Sequence, residues 1–227
     1  METLNDTLNE KLISSIKQNE SLNIMKSLVS VGANGAHPEV LETLLTIGSC
    51  DNRLKKLKYF VEKCRANIND SDSFGRTPIM QARSVEIVTY LLSKKADVSM
   101  TDCRNTTVLM YLLENLHRRG NGLFDIFDQV LSLGANILTV NFRKKTAADI
   151  LMKNERYFPV SFVSALNLIL TEAETIKRQY LSVFGENARI NLKLKRGSFI
   201  SLCTFCANEK TSFHKHMNTD DIRKMFC

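Results

Sequence analysis

Tryptophan is absent from this chain, and only four histidines, three prolines and nine glycines occur in its 227 residues. So few histidines leave little for general-base catalysis, and His37 and His117 stand alone. No Gly-rich phosphate loop, nucleophile elbow or paired histidine and acid at metal spacing is found, so the chain is expected not to be an enzyme. Aromatics make up 7% of the residues, which offers no base-stacking platform and argues against a nucleic-acid partner. No apolar run reaches the roughly 20 residues of a membrane span, and the opening "METLNDTLNEKLISSIKQ" has neither the basic start nor the apolar stretch of a signal peptide. These absences predict an intracellular protein, cytoplasmic or nuclear, with no membrane partner. Six cysteines lie scattered without a compact framework, as reduced thiols do.

What is present supports folding. Hydrophobic residues are 44% of the chain, enough for a buried core. The net charge is +7. Residues 172–227 hold 10 basic and 6 acidic residues, so they contribute +4 of it, interspersed as on a solvated surface. Only "RINLKLKR", 189–196, is purely basic.

The chain also repeats. Four short tags recur: "GAN" at 32–34, "RAN" at 65–67, "KAD" at 95–97 and "GAN" at 134–136, spaced by 33, 30 and 39 residues. Each follows an apolar stretch of helical period. Two tags begin with Gly, as where a helix ends on a positive φ. Arg65 and Lys95 take that place in the others, at a cost of about 1 kcal/mol each if they adopt the same backbone. In the unit from 72 to 98, Gly75 supplies a turn, Thr77 is expected to cap a helix with its hydroxyl and Pro78 to occupy the first helical turn. "IMQA" then predicts a short first helix and "VEIVTYLL" a second. One such hairpin cannot bury its apolar stripe, so neighbours must stack on it.

"GRTPIMQA", "EIVTYLL" and "KADV" resemble the ankyrin repeat, whose period is about 33 residues. "DCRNTTVLMYLLENL" from 102 resembles the next unit, with Asn105 for Gly and Val108 for Pro. "NFRKKTAADILMKN" from 141 resembles the one after, with Lys144 for Gly and Ala147 for Pro. Met80 and Met110 stand where the family has His. The 102–136 unit carries an insertion at "HRRGNG", with Gly120 and Gly122 marking a loop. The resemblance implies an all-α solenoid of about four to five helix-turn-helix units over residues 1–172, with residues 173–227 as a helical C-terminal extension. It also implies that the chain binds a protein partner through projecting turns and first helices. By register the tips are Ser73, Phe74 and Arg76, then Cys103, Arg104 and Thr106, then Phe142, Arg143 and Lys145. A tip aromatic flanked by Arg has the composition of an interface hot spot; the alternative is that each Phe folds back onto its own helix.

Three readings compete for the tail. Cys203 and Cys206 form a CxxC with His214, His216 and Cys227 downstream, so a zinc site is one, and a zinc-stabilised tail with the basic 189–196 segment could touch nucleic acid. "SFISLCTFCA" resembles the elongin-binding helix of SOCS-box proteins. Ser198, Cys203 and Ala207 match that pattern, Phe199 stands for its Leu, and Leu202 completes an apolar stripe. That resemblance implies elongins and a cullin as partners, and a substrate receptor of a ubiquitin ligase. The third reading is that these residues cap the last repeat.

Overall fold

A computed structural model describes residues 2–47, 52–116, 122–184, 192, 194–208 and 219–226. Among them the regular structure is helical, and the chain divides into two compact units, residues 1–97 and 98–227.

The first unit holds three helix pairs: α1 (Glu2–Lys17) with α2 (Leu22–Val31), α3 (Pro38–Thr46) with α4 (Arg53–Glu62), and α5 (Pro78–Gln81) with α6 (Val85–Ser93). First helices stack on first helices, α1 on α3 and α3 on α5. Leu12, Ile16, Met25, Val40, Leu44, Leu57 and Phe60 are fully enclosed there. Val40, Leu41, Leu44 and Leu45 occupy the 3.6-residue stripe that this stacking buries. Gly35 lies so close to the next pair that a Cβ on it would meet the Cys64 Sγ at 2.5 Å.

The second unit holds α7 (Val108–Asn115) with α8 (Leu123–Ser132), and α9 (Ala147–Asn154) followed by a 3-10 turn and the long α10 (Val160–Phe184). The tail adds α11 (Ser198–Asn208) and α12 (Thr219–Arg223). α7 packs on α9, while α11 packs on α8 and α10. Its centre is aromatic. Phe127 meets Phe162 edge to face at 4.9 Å, Phe158 stacks on Phe162 at 4.7 Å, and Phe199 of α11 meets Phe162 at 5.2 Å. The expected all-α architecture of helix-turn-helix units is what the chain has. The boundary expected after residue 172 falls inside α10.

The four tags are one device used four times. Gly32, Arg65, Lys95 and Gly134 all have φ between 60° and 123°, so each ends its helix in the left-handed region. The next residue is a buried alanine whose N–H turns back into the helix. Ala33 donates to Leu28, Ala66 to Phe60, Ala96 to Leu91 and Ala135 to Val130, at 3.0 to 3.1 Å. Alanine fits because each of these side chains is at most 6% exposed.

One capping expectation is corrected. Thr77 stands at the cap position of α5 with Pro78 behind it, but its hydroxyl makes no cap bond and is buried without a partner. The N–H of Met80, which the hydroxyl would accept, donates instead to the Thr77 carbonyl at 3.0 Å, tightening this four-residue helix. Thr107 and Thr146 do cap their helices, accepting from the N–H groups of Met110 at 3.3 Å and Asp149 at 3.2 Å. Met80 and Met110 are wholly buried core residues.

Candidate partner-binding site

Three hairpin turns precede α5, α7 and α9, and each is assembled around an Asx residue. Asp72 Oδ1 accepts the N–H groups of Phe74 and Arg76 at 2.9 and 2.8 Å. Asp102 Oδ1 accepts those of Arg104 and Thr106 at 2.9 and 2.7 Å, and Asn141 Oδ1 those of Arg143 and Lys145, both at 3.0 Å. Backbone bonds close the same loop each time, from Gly75, Asn105 and Lys144 to the Asx carbonyl at 2.8 to 3.0 Å. Those three residues have φ of 77°, 57° and 55°. The left-handed position that Gly75 fills at no steric cost is therefore imposed on an asparagine and a lysine in the other two turns.

The Asx anchors were legible as turn residues but their role was not assigned from sequence. Asx side chains that bond the backbone two residues on are a known turn signal. Asp102 does more than turn the chain. It is buried, and its second oxygen accepts the Tyr111 hydroxyl at 2.8 Å, tying the turn to α7. Asp72 likewise pairs with the Arg76 guanidinium at 2.6 Å and accepts from Gln81 Nε2 at 3.1 Å.

These scaffolds hold the expected tip residues outward. Ser73, Cys103, Arg104, Arg143 and Lys145 are exposed, and Arg76 and Thr106 are half-buried at the turn. Phe74 and Phe142 do not fold back into the core: they are 51% and 59% exposed. Each carries a guanidinium instead. Arg76 lies 5.1 Å from the Phe74 ring centre, while Arg104 and Arg143 lie 5.2 and 5.5 Å from that of Phe142. In the second unit two successive turns are also stitched together. Phe142 N–H donates to the Arg104 carbonyl at 2.9 Å, and Asn105 Nδ2 donates to the Val140 carbonyl at 2.8 Å. Arg104 and Phe142, 38 positions apart, thus belong to one surface.

The tail residues lie elsewhere. Phe199 and Leu202 have no exposed surface and Cys203 is 4% exposed, so the apolar stripe of α11 faces inward. Ser198 is half-buried, and the Ala207 side chain lies outside the described residues. Asp128 of α8, 2% exposed, was missed from sequence. Its carboxylate accepts the N–H groups of Gly197 at 2.6 Å and Phe199 at 3.0 Å and so caps α11. Arg223 of α12 pairs with the buried Glu172 of α10, and Lys195 N–H donates to the Met225 carbonyl at 2.7 Å. Of the zinc candidates, Cys203 is buried, while the Cys206 side chain, His214 and Cys227 lie outside the described residues. Among the described residues no three His, Cys, Asp or Glu side chains cluster as a metal site, and no helix is long and apolar enough to cross a membrane. Burial pushes the Cys64 thiol up from its ordinary pKa, which disfavours the nucleophilic thiolate.

Compared with known families, residues 12–141 match the model described as "Ankyrin repeats (3 copies)", more than half of the chain. No curated protein matches the sequence.

Proposed function

The chain belongs to the ankyrin-repeat family, and on that premise we propose that it is a non-enzymatic adaptor that holds a protein partner on its hairpin tips. One observation carries this reading. Phe74 and Phe142 are held out in solvent by turns whose backbones are pinned through Asp72, Asp102 and Asn141, each ring against an arginine. A large aromatic that is already ordered loses little conformational entropy on binding, and aromatic and Arg side chains dominate interface energetics. The first unit offers Ser73, Phe74 and Arg76, and the second, by itself, Cys103, Arg104, Phe142, Arg143 and Lys145.

The burial of Phe199, Leu202 and Cys203 supports α11 as a cap on the last helices. For residues 198–207 to bind elongins, and through them a cullin, α11 would have to leave α8 and α10. A photo-crosslinking amino acid placed in turn at Ser73, Arg143 and the exposed α6 residue Thr89 tests the tip reading in cell extract. Protein adducts at both tip positions and none at Thr89 support it. Adducts at Thr89 but not at the tips would move the binding surface off the hairpins.

A further inference from the structure

Building on the hairpin tips as the binding surface, we infer that the two tips of the second unit form a subsite for an acidic polypeptide segment bearing an apolar side chain. Residues 103–106 and 139–146 contain four cations, Arg104, Arg143, Lys144 and Lys145, and no carboxylate. All four are exposed, and among the described residues none lies within ion-pair distance of an acid. Asp102, at the base of the first tip, is buried with its oxygens committed to two backbone N–H groups and the Tyr111 hydroxyl.

The corresponding tip of the first unit is built differently. There Arg76 is neutralised within its own turn by Asp72 at 2.6 Å, leaving Phe74 beside a closed ion pair. The same fold device therefore presents four cations without an ion pair in one unit, where the Asp149 carboxylate acts on Lys145 only from beyond ion-pair distance, and a closed ion pair in the other. Guanidinium forks match carboxylates bidentately, and a single-sign patch steers and selects oppositely charged partners.

The apolar half of the subsite is Phe142, with 59% of its surface open and its ring beside two guanidinium groups. Guanidinium groups bind phosphate as readily as carboxylate, so it is the single aromatic that favours a polypeptide over a nucleic acid. Sequence-tolerant binding of single strands uses successive open aromatic faces along a charged track. Here one aromatic, already flanked by two arginines, stands within a compact cluster on two adjacent turns. That arrangement fits a few carboxylates around one apolar side chain.

The test uses the full chain and a short fluorescein-labelled peptide of Glu and Asp around a central Leu-Phe pair. The same peptide with Gln and Asn, and an oligothymidylate, serve as comparisons, all by fluorescence anisotropy. The acidic peptide is expected to bind at least about tenfold more tightly than the neutral one and to weaken as ionic strength rises from about 0.05 to 0.2 M. Arg143→Glu with Lys145→Glu should lower its affinity at least about tenfold. The charge-matched control, Lys153→Glu with Arg156→Glu, should leave it within about twofold. Phe142→Ala should weaken it further, and circular dichroism checks that each variant keeps the wild-type helicity. Equal binding of acidic and neutral peptides, equal losses from the two charge reversals, no peptide binding, or tighter binding of the oligothymidylate would each overturn the assignment. Crosslinks at the tips without acidic-peptide binding would refute this ligand class alone and leave the adaptor reading standing; loss of the crosslinks would remove both.

Discussion

Removing the Asp128 carboxylate should loosen the hold of α8 on the C-terminal tail. The side chain is 2% exposed, and its two oxygens accept the N–H groups of Gly197 and Phe199 at 2.6 and 3.0 Å. A hydrogen bond to a charged group nets about 1.5 to 3 kcal/mol, and loss of a helix cap alone costs about 1 kcal/mol. The two bonds share one carboxylate and one helix end, so they do not add, and Asp128→Ala is expected to cost about 3 kcal/mol. Asp128→Asn leaves one acceptor but turns an NH2 toward a backbone N–H, so it should cost about 2 kcal/mol. Native-state hydrogen exchange reads this directly. A loss of about 3 kcal/mol lowers the protection of peptides covering 198–208 by about two orders of magnitude. Peptides from α3 and α6 in the first unit are the internal control and should not change. Unaltered exchange in α11, with an urea midpoint equal to wild type, would refute the claim that this carboxylate holds the tail.

Other expectations follow from the turns, caps and close contacts. Replacing Arg65, Lys95 or Lys144 by Gly should raise stability by about 1 kcal/mol each in urea denaturation, because each holds a left-handed backbone with φ of 55° to 66°. Equal or lower stability would show that their side chains contribute more than the backbone strain costs. Thr77→Val should be neutral or stabilising because the buried hydroxyl has no partner, whereas Thr107→Val should cost about 1 kcal/mol through its lost cap; thermal melts of the pair decide it. Gly35→Ala should cost about 1 to 3 kcal/mol through the approach to Cys64, with partial rescue by Cys64→Ala in a double-mutant cycle. Burial, with Asp72 nearby, raises the Glu42 pKa, so its ionised form opposes folding once pH rises through the unfolded and then the folded pKa. Glu42→Gln should therefore stabilise the chain at pH 7, with the gain vanishing below the unfolded pKa near 4.

What was legible in the sequence is what local chemistry decides. The tags at 32, 65, 95 and 134 marked helix ends because one residue must take a positive φ and the next must be small, and both demands act within one turn. Seven of the nine expected tip residues are exposed, because hairpin register follows from the same spacing, while Arg76 and Thr106 are half-buried at their turns. Thr77 misled because its neighbours were sufficient to predict a cap but not the competition for the Met80 N–H by the Thr77 carbonyl. Asp128 was illegible for a different reason. Its partners lie 69 and 71 residues away, and on sequence alone it is one acid in the helix "LFDIFDQVLS". The aromatic cluster shared this fate, since Phe127, Phe162 and Phe199 come from three helices brought together by folding.

That packing places an energetic limit on any second role for the tail. A groove-binding partner of the α11 stripe would need Phe199, Leu202 and Cys203 exposed, and all three are buried against the aromatic centre and α8. Uncovering a buried Phe side chain forfeits about 3 kcal/mol, and breaking the Asp128 cap about as much again. A partner that binds only the undocked tail would see its intrinsic affinity reduced by the fraction undocked, about four orders of magnitude for a combined 5 to 6 kcal/mol. Asp128→Ala removes about half of that barrier, so a partner of the stripe should bind the variant about a hundredfold more tightly than wild type. A partner of the hairpin tips should bind both alike. Binding that strengthens in the variant therefore places a partner on the α11 stripe, whereas equal binding places it on the tips.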